Sequence, residues 1–440
     1  MDAPYATRKQ PWLAECQVAP EIFHQVMPRL ETCMAPFVRT FCRQEPAQHA
    51  QTSVSGLRSD LERKNVAAIA YRFGHDRLPL PRCVGWAEGD AAPLRQELTH
   101  QVAPHLGPAD GGLGLAPSAV PKSGTDSVGV ARQWCGRLGK VDHCHVARAL
   151  GDGSGAGPTV VALRLSLPKT WTPDKARLDN AGVPQARRGS RSRPQLALDL
   201  REANGAVLPP GWVAGADERG RPSWCRRRLA RLGERYRLAV PGHPVMRARE
   251  APPPAASGRG RRPQRPWQGL QRWQTALPAE AWTTIDVRHG AKGPLVVDIV
   301  KRRVVARTPQ RQEGHEETRV VRRERAHDTA QVVQVDFDLS HGAAETALAA
   351  LARVAKAEHR LAECLQCSKS AAGLVDYAGR HWTGWHHHQT LSCIATWFLV
   401  TETRRGKKMD SCDDVTPDPR RHRVAPSPGV SMRDDVTLAA

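Results

Sequence analysis

Cysteine, histidine and arginine are the side chains from which this chain could build chemistry. Cys364 and Cys367 stand three positions apart, the spacing of half a tetrahedral zinc site. Such a site needs two more ligands. His359 is the nearby histidine and no second pair follows, so two small residues on one helix is the simpler reading. Asp142-His143-Cys144-His145 offers oxygen, nitrogen and sulfur donors, but it sits in what reads as a strand, and ordinary strand residues explain it as well. Gly151-Asp152-Gly153-Ser154-Gly155 is glycine-rich but lacks the Lys-Ser/Thr that a phosphate cradle needs, and no G-x-S-x-G elbow occurs. Nucleotide-dependent and serine-hydrolase chemistry therefore find no support.

Arginine clusters are the better candidates. Arg226, Arg227 and Arg228 form one run, and Arg259, Arg261 and Arg262 form another. The planar guanidinium matches phosphate geometry, and phosphate contacts position a protein on DNA without reading bases. Trp382, Trp385 and His386 to His388 form an aromatic and cationic group near the C-terminus. It reads either as core tryptophans at a helix start or as a DNA contact, with Trp385 and His386 holding a strand end.

Bulk composition agrees with a polyanionic partner. Lys and Arg number 65 against 44 Asp and Glu, leaving a net charge of +21. Arginine-rich coding would produce the same excess without function. With 440 residues the chain exceeds what one core usually serves. Tryptophan (12) outnumbers phenylalanine (6) and tyrosine (4), so the core must rest on Leu, Val and Ala. The 11 cysteines show no paired spacing typical of a secreted scaffold, which points to a reducing compartment. The start Met1-Asp2-Ala3-Pro4-Tyr5 lacks a basic then apolar leader. The apolar run Leu391 to Val400 is too short to span a bilayer. A cytoplasmic protein, nucleoid-associated when bound to DNA, is expected.

The elements that must position these residues fall into three parts. Residues 1–105 carry helical spacing, as in Ile22, Val26 and Leu30, and read as a helical region for binding DNA ends. Pro104 to Gly114 breaks that pattern. Residues 106–405 then alternate: strands at Val160–Leu167, Val207–Ala214 and Tyr236–Pro241, with a basic helix from Arg226 stopped at Gly233. This predicts a mixed α/β core. The Pro/Gly/Arg segment 251–266 opens a β-rich insertion near 245–345 that includes Leu295–Val300. Helices are predicted over Ala343–Leu365 and His386–Val400, and a disordered tail over 406–440.

Ser127 to Val141 reads SVGVARQWCGRLGKV, and the block resembles a segment of the DDE insertion-sequence transposases of bacteria. Further matches follow the same order: Ser55 to Asn65 upstream, then Trp212 to Gly215, Leu232 to Tyr236, Leu238 to Pro241, Arg353 to Arg360, Gly373-Leu374 and Gly384 to Leu391. The resemblance spans roughly residues 55 to 408. It implies an RNase H-like core, an insertion before the last catalytic helix, and three carboxylates that hold Mg²⁺ or Mn²⁺. It also implies double-stranded DNA at element ends as the partner, a homodimer as one assembly, and no membrane.

Carried over residue by residue, the three acidic positions hold alanine. The first, before the SVGVARQ block, is Ala116. The second, counted back from Gly220, is Ala216. The third lies seven positions before Lys369 and is Ala362. Asp217 and Glu363 stand one residue away and are candidate surrogates, although a one-residue shift turns a side chain across a strand or by about 100° on a helix. No metal site is expected intact. Three functions remain open: a transposase-related DNA-binding protein with impaired catalysis, an active transposase using Asp217, Glu363 and a third acid, or a degenerate product.

Overall fold

The computed structural model describes residues 25–74, 80, 84, 91–106, 112–153, 157–208, 211–215, 220, 222–250, 255, 258, 265–290, 293–308, 310–325 and 331–412. The N-terminal part is helical: α1 (Val26–Val38), α2 (Gln44–Leu57), α3 (Val66–Arg72) and α4 (Ala92–Val102). Asn65 caps α3 by accepting the Ala68 N–H. Leu30, Met34 and Phe37 recur at helical spacing on α1 and are all buried. Ile22, which belonged to the same expected pattern, lies outside the described residues.

A mixed sheet begins at β1 (Gly112–Pro121) and continues with β2 (Ala131–Cys135), β3 (Lys140–Asp152) and β4 (Thr159–Leu165). Helices α5 (Lys175–Asn180) and α6 (Arg193–Asn204) follow, then β5 (Trp212–Gly215), α7 (Ser223–Arg231) and β6 (Arg235–Val240). A capping box of Ser192 and Gln195 starts α6. Gly233, at φ 73°, supplies the left-handed residue after α7, as its place in the sequence suggested. In the sheet, β4 pairs with β3, β3 is antiparallel to β1, and β1, β5 and β6 run parallel. This order, β4-β3-β1-β5-β6 with helices on both faces, is the RNase H-like arrangement.

The insertion adds β7 (Val245–Ala248), β8 (Gln268–Gly269), α8 (Leu270–Thr275), β9 (Thr283–Gly290), β10 (Gly293–Arg307), β11 (Glu313–Arg325) and β12 (Val332–His341). It is rich in strands, as expected. Its strands do not form a sheet of their own: β12 pairs antiparallel with β6, so one hydrogen-bonded sheet runs through both parts. Arg237 on β6 and Asp338 on β12 form a buried ion pair, with NH2 to Oδ2 at 2.5 Å, and Arg237 also donates to the Leu351 carbonyl.

Two long helices close the fold, α9 (Leu348–Ala371) and α10 (Trp382–Cys412). Along β1, Leu113 and Leu115 face one cluster with α6 and α7, while Ala116 belongs to the cluster on the other face with Leu361, Cys364 and Leu365 of α9. Helix α9 lies against small residues. A Cβ at Gly153 would sit 2.2 Å from the Ala357 carbonyl oxygen, so only glycine permits this approach.

Three expectations need correction. The strand drawn from Val207 begins only at Trp212, because Val207 and Leu208 turn out of α6, bonded back to Asn204. The helix drawn from His386 starts earlier, at Trp382, and runs to Cys412. Residues 406–412, placed in a disordered tail, are therefore helical, while 413–440 lie outside the described residues. Among the described residues, no helix is long and apolar enough to cross a membrane.

Candidate functional site

The parallel ladder of β1 with β5 fixes the centre of the site. Its last recorded partners are Leu115 and Gly215. Ala116 is the next residue on β1, and the chain leaves β5 directly after Gly215 towards Ala216. Ala116 is 0% exposed and turns its methyl towards α9. Ala216 and Asp217 lie outside the described residues.

On α9, Leu361, Leu365 and Ser368 are buried against the sheet. At 100° per residue, Ala362 and Lys369 lie two turns apart on one flank of this stripe, while Glu363 points about 200° from Leu361. Ala362 and Glu363 are both exposed. The Glu363 carboxylate meets the His359 ring at 3.2 Å, one turn back on the solvent side. Glu363 is therefore corrected as a surrogate: its helical phase turns it away from Ala116. Lys369 is half-buried, and burial, helped by Arg137, lowers its pKa.

A hard divalent cation needs oxygen ligands. Around Ala116 the α9 members of its cluster, Leu361, Cys364 and Leu365, offer methyl and methylene groups and one thiol, and the cluster's Tyr377 hydroxyl donates to the His381 carbonyl. Burial pushes that thiol up to about 12, and sulfur is a soft donor that does not suit Mg²⁺. Among the described residues no group of three His, Cys, Asp or Glu is placed to hold a metal ion. The described residues at this place do not fit a divalent metal. Cys364 and Cys367 split between the buried and exposed sides of α9, and Cys144 is buried within β3, so neither motif gathers ligands.

The arginine run at 226–228 divides. Arg226 is 4% exposed, and its Nε donates to Glu317 Oε1 of β11 at 2.8 Å. Its NH1 also donates to the Gly220 carbonyl. Arg226 is thus corrected from phosphate contact to internal strut between α7 and the insertion. Arg228 is exposed and donates to Glu202 of α6 at 2.8 Å, which raises its pKa. Arg227 is half-buried and has no ion pair among the described residues. Arg259, Arg261 and Arg262 lie outside the described residues.

The Glu317 carboxylate also accepts the Tyr236 hydroxyl at 2.6 Å. Burial, then Glu317, pushes that phenol up, so it remains a donor. The Tyr236 oxygen lies 2.6 Å from His315 Nε2, which must supply the proton of that second bond because the phenol has only one. Arg226→Met is expected to cost about 3–5 kcal/mol, because it leaves Glu317 buried without its cation. Adding Glu317→Leu should recover most of that loss. Urea unfolding checks this, and equal stability of the single variant and wild type would refute the strut.

Trp385 is 2% exposed and packs its ring against His386, with centroids 4.8 Å apart. It is a core residue, which corrects the stacking role considered for it. His388 donates through Nε2 to the Gly373 carbonyl at 2.8 Å, and Gln389 to the Leu374 carbonyl at 3.0 Å, so this run braces the loop before α10. His386 is half-buried. Its Nδ1 lies 2.9 Å from the Trp382 carbonyl, and its ring borders a cavity of about 680 Å³. Arg95, Arg164 and Arg187 line the same cavity. Arg95 and Arg164 are isolated in sequence, whereas Arg187 opens the run Arg187, Arg188, Arg191 and Arg193.

The fold is that of the RNase H-like nucleases of the DDE type. The DDE superfamily endonuclease model matches residues 36–294, more than half of the chain, and the protein belongs to that family. Among curated proteins none matches it. The family cuts and joins DNA in the manner of transposases and uses divalent metals for it, so DNA is the implied substrate.

Proposed function

We propose that the chain is a transposase-derived protein of an insertion sequence that binds the DNA of element ends and has lost strand cleavage. The observation that carries this reading is Ala116. A buried methyl stands on the central strand, on the α9 face, one residue past the Leu115–Gly215 pair. Family membership supplies the ancestry, and the methyl at Ala362 on the Lys369 flank supports the same conclusion on the helix. On β5, Trp212 and Ala214 face the α9 side and Val213 the other. Positions 216 and 217 lie beyond the end of β5, so the third member rests on the family count back from Gly220. Asp217 alone would then be a single carboxylate, too few for two metals.

Two measurements test the proposal on the full chain. No nicking of supercoiled plasmid is expected with Mg²⁺ or Mn²⁺. Robust Mn²⁺-dependent cleavage that Asp217→Ala abolishes would overturn the loss of catalysis. Duplex binding is expected, with log K falling against log salt by about 0.9 per phosphate neutralised, or roughly −5 for about six contacts. Because Arg226 is internal, Arg227→Ala with Arg228→Ala should flatten the slope by at most about 2. A folded sample that binds no duplex at low salt would remove the DNA-binding reading. A cooperative melt distinguishes that sample from a degenerate chain.

A further inference from the structure

The cavity beside α10 carries an inference of its own. It opens between α4, the edge strand β4, the C-terminal end of α6, the turn at Gln185–Arg187 and the start of α10. About 680 Å³ is the size range of nucleotide-sized sites. Three arginines line it, Arg95, Arg164 and Arg187, and among the described residues none that lines it is acidic. The carboxylate paired with Arg164, Asp199, is shared: Arg164 reaches it at 3.6 Å and Arg191 at 3.1 Å. One carboxylate thus serves two cations, while Arg187 is exposed and has no ion pair among the described residues. Arg164 is largely buried, with 17% of its side chain exposed, so its charge acts in a partly desolvated setting.

Neutral polar and aromatic groups complete the wall. Asn204 and Thr99 hydrogen-bond each other at 3.2 Å on one side, and Trp382 packs on His386 at 4.4 Å between ring centroids on the other. Burial holds His386 down to about 3, so at neutral pH it adds an aromatic face and no charge. The cavity is level with Ala116 across the sheet. Ala116 pairs with Ala149, and Ala149 with Leu163, which lines the cavity. Two strand spacings separate them, about 10 Å.

We propose that this cavity, two strands away from Ala116, is a phosphate subsite that holds the phosphodiester backbone of DNA on Arg95, Arg164 and Arg187. The proposal deepens the DNA-binding reading and rests on it for the source of the phosphate. The same guanidinium chemistry would accept a free nucleotide, and the test separates the two sources.

The probes are inorganic phosphate, dAMP and a fluorescent 30-base-pair duplex, used with the full-length chain. Arg187→Ala removes an exposed side chain with no ion pair among the described residues. Lys169→Ala removes one charge from an exposed site outside the cavity and serves as the control. Phosphate and dAMP should raise the melting temperature of the wild type and the control but not of Arg187→Ala. Duplex affinity should fall about tenfold in Arg187→Ala, with the salt slope flatter by about 0.9, and stay unchanged in the control. Stabilisation by dAMP without any loss of duplex affinity in Arg187→Ala would overturn the backbone assignment in favour of a free nucleotide. Duplex binding in which Arg187→Ala equals the control, with no stabilisation by phosphate or dAMP, would overturn the subsite and leave the DNA-binding reading intact. Absence of duplex binding and of both stabilisations would overturn both.

Discussion

Restoring three acids at once, Ala116→Asp, Ala216→Asp and Ala362→Glu, is expected to convert an inert chain into a Mn²⁺-dependent nuclease. Metal-ion catalysis of phosphodiester cleavage is worth several kcal/mol at the transition state, on the order of 10³-fold or more in rate. Each single restoration should give nothing measurable, because a lone carboxylate does not hold two divalent ions against an anionic backbone. The middle strand sets a cost. Position 116 is 0% exposed and sits among aliphatic side chains, so Ala116→Asp alone should destabilise the fold by roughly 2–4 kcal/mol and raise the new carboxyl's pKa. In the triple variant, Mn²⁺ should reverse part of that loss, seen as a rise in melting temperature that the wild type lacks. Nicking of supercoiled plasmid gives the activity, and the melt shows whether the variant is folded. A folded triple variant that Mn²⁺ stabilises and that still nicks no DNA would show that the alanines are not what silences the chain. A triple variant that Mn²⁺ leaves unchanged would show that these three positions do not converge.

Local patterns in this sequence were informative where local physics decides the outcome. The strand at Val160–Leu167 and the helix stopped by Gly233 follow from apolar runs and a left-handed glycine, and both are present. The helix over Ala343–Leu365 is present too, shifted towards the C-terminus. Long-range partners were not legible. On α7, Cys225 and Leu229 mark the buried face, and helical phase leaves Arg226 and Arg228 about equally far from it on opposite sides. Glu317, far along the chain on β11, decides between them, and it makes Arg226 internal. The joining of the insertion to β6 rests in the same way on Arg237 and Asp338, an ordinary arginine and aspartate in sequence. Trp385 and His386 show the limit from the other direction. Their types suit a strand-end contact, yet α10 turns Trp385 into the core and leaves His386 at the rim of a cavity whose arginines come from three separated segments. The family positions are a different case. Ala116 and Ala362 were found through resemblance, since an alanine on a strand or helix carries no signal of its own. The ladder from Leu115 to Gly215 and the flank shared with Lys369 give them a place in space.

Acidification from pH 7 to 5 is expected to remove roughly 6 kcal/mol of stability, enough to unfold a chain of ordinary stability. Two buried histidines, His145 and His388, and the half-buried His386 carry the effect. Burial lowers His145 and His386 to about 3 and His388 to about 4. His145 is 2% exposed, its Nε2 lies 3.2 Å from Ser127 Oγ, and Lys122 opposes its charge. His388 is also 2% exposed and donates to Gly373. Arg95 and Arg164 add to the lowering at His386. In the unfolded chain each histidine takes up a proton near pH 6.5, while the folded chain refuses it down to about pH 4 or below. The unfolded state therefore binds more protons throughout that window, and stability falls as pH falls, by about 1.4 kcal/mol per pH unit for each histidine. His315, also lowered by burial, adds a term of the same sign, and Glu234, raised by burial, opposes it. Asp336, lowered by its bonds to Gln334 and Arg322 in spite of burial, loses its contribution only below the ordinary carboxylate range and leaves the window to the histidines. Urea melts at pH 7, 6 and 5 measure the slope. His388→Gln keeps a donor for the Gly373 carbonyl and removes the titration, so its curve should be shallower by about 1.4 kcal/mol per pH unit below pH 6. His145→Gln should do the same. A wild-type stability that stays level between pH 7 and 5 would mean that these histidines charge in place, and that the junction of β3 with the start of α10 admits water.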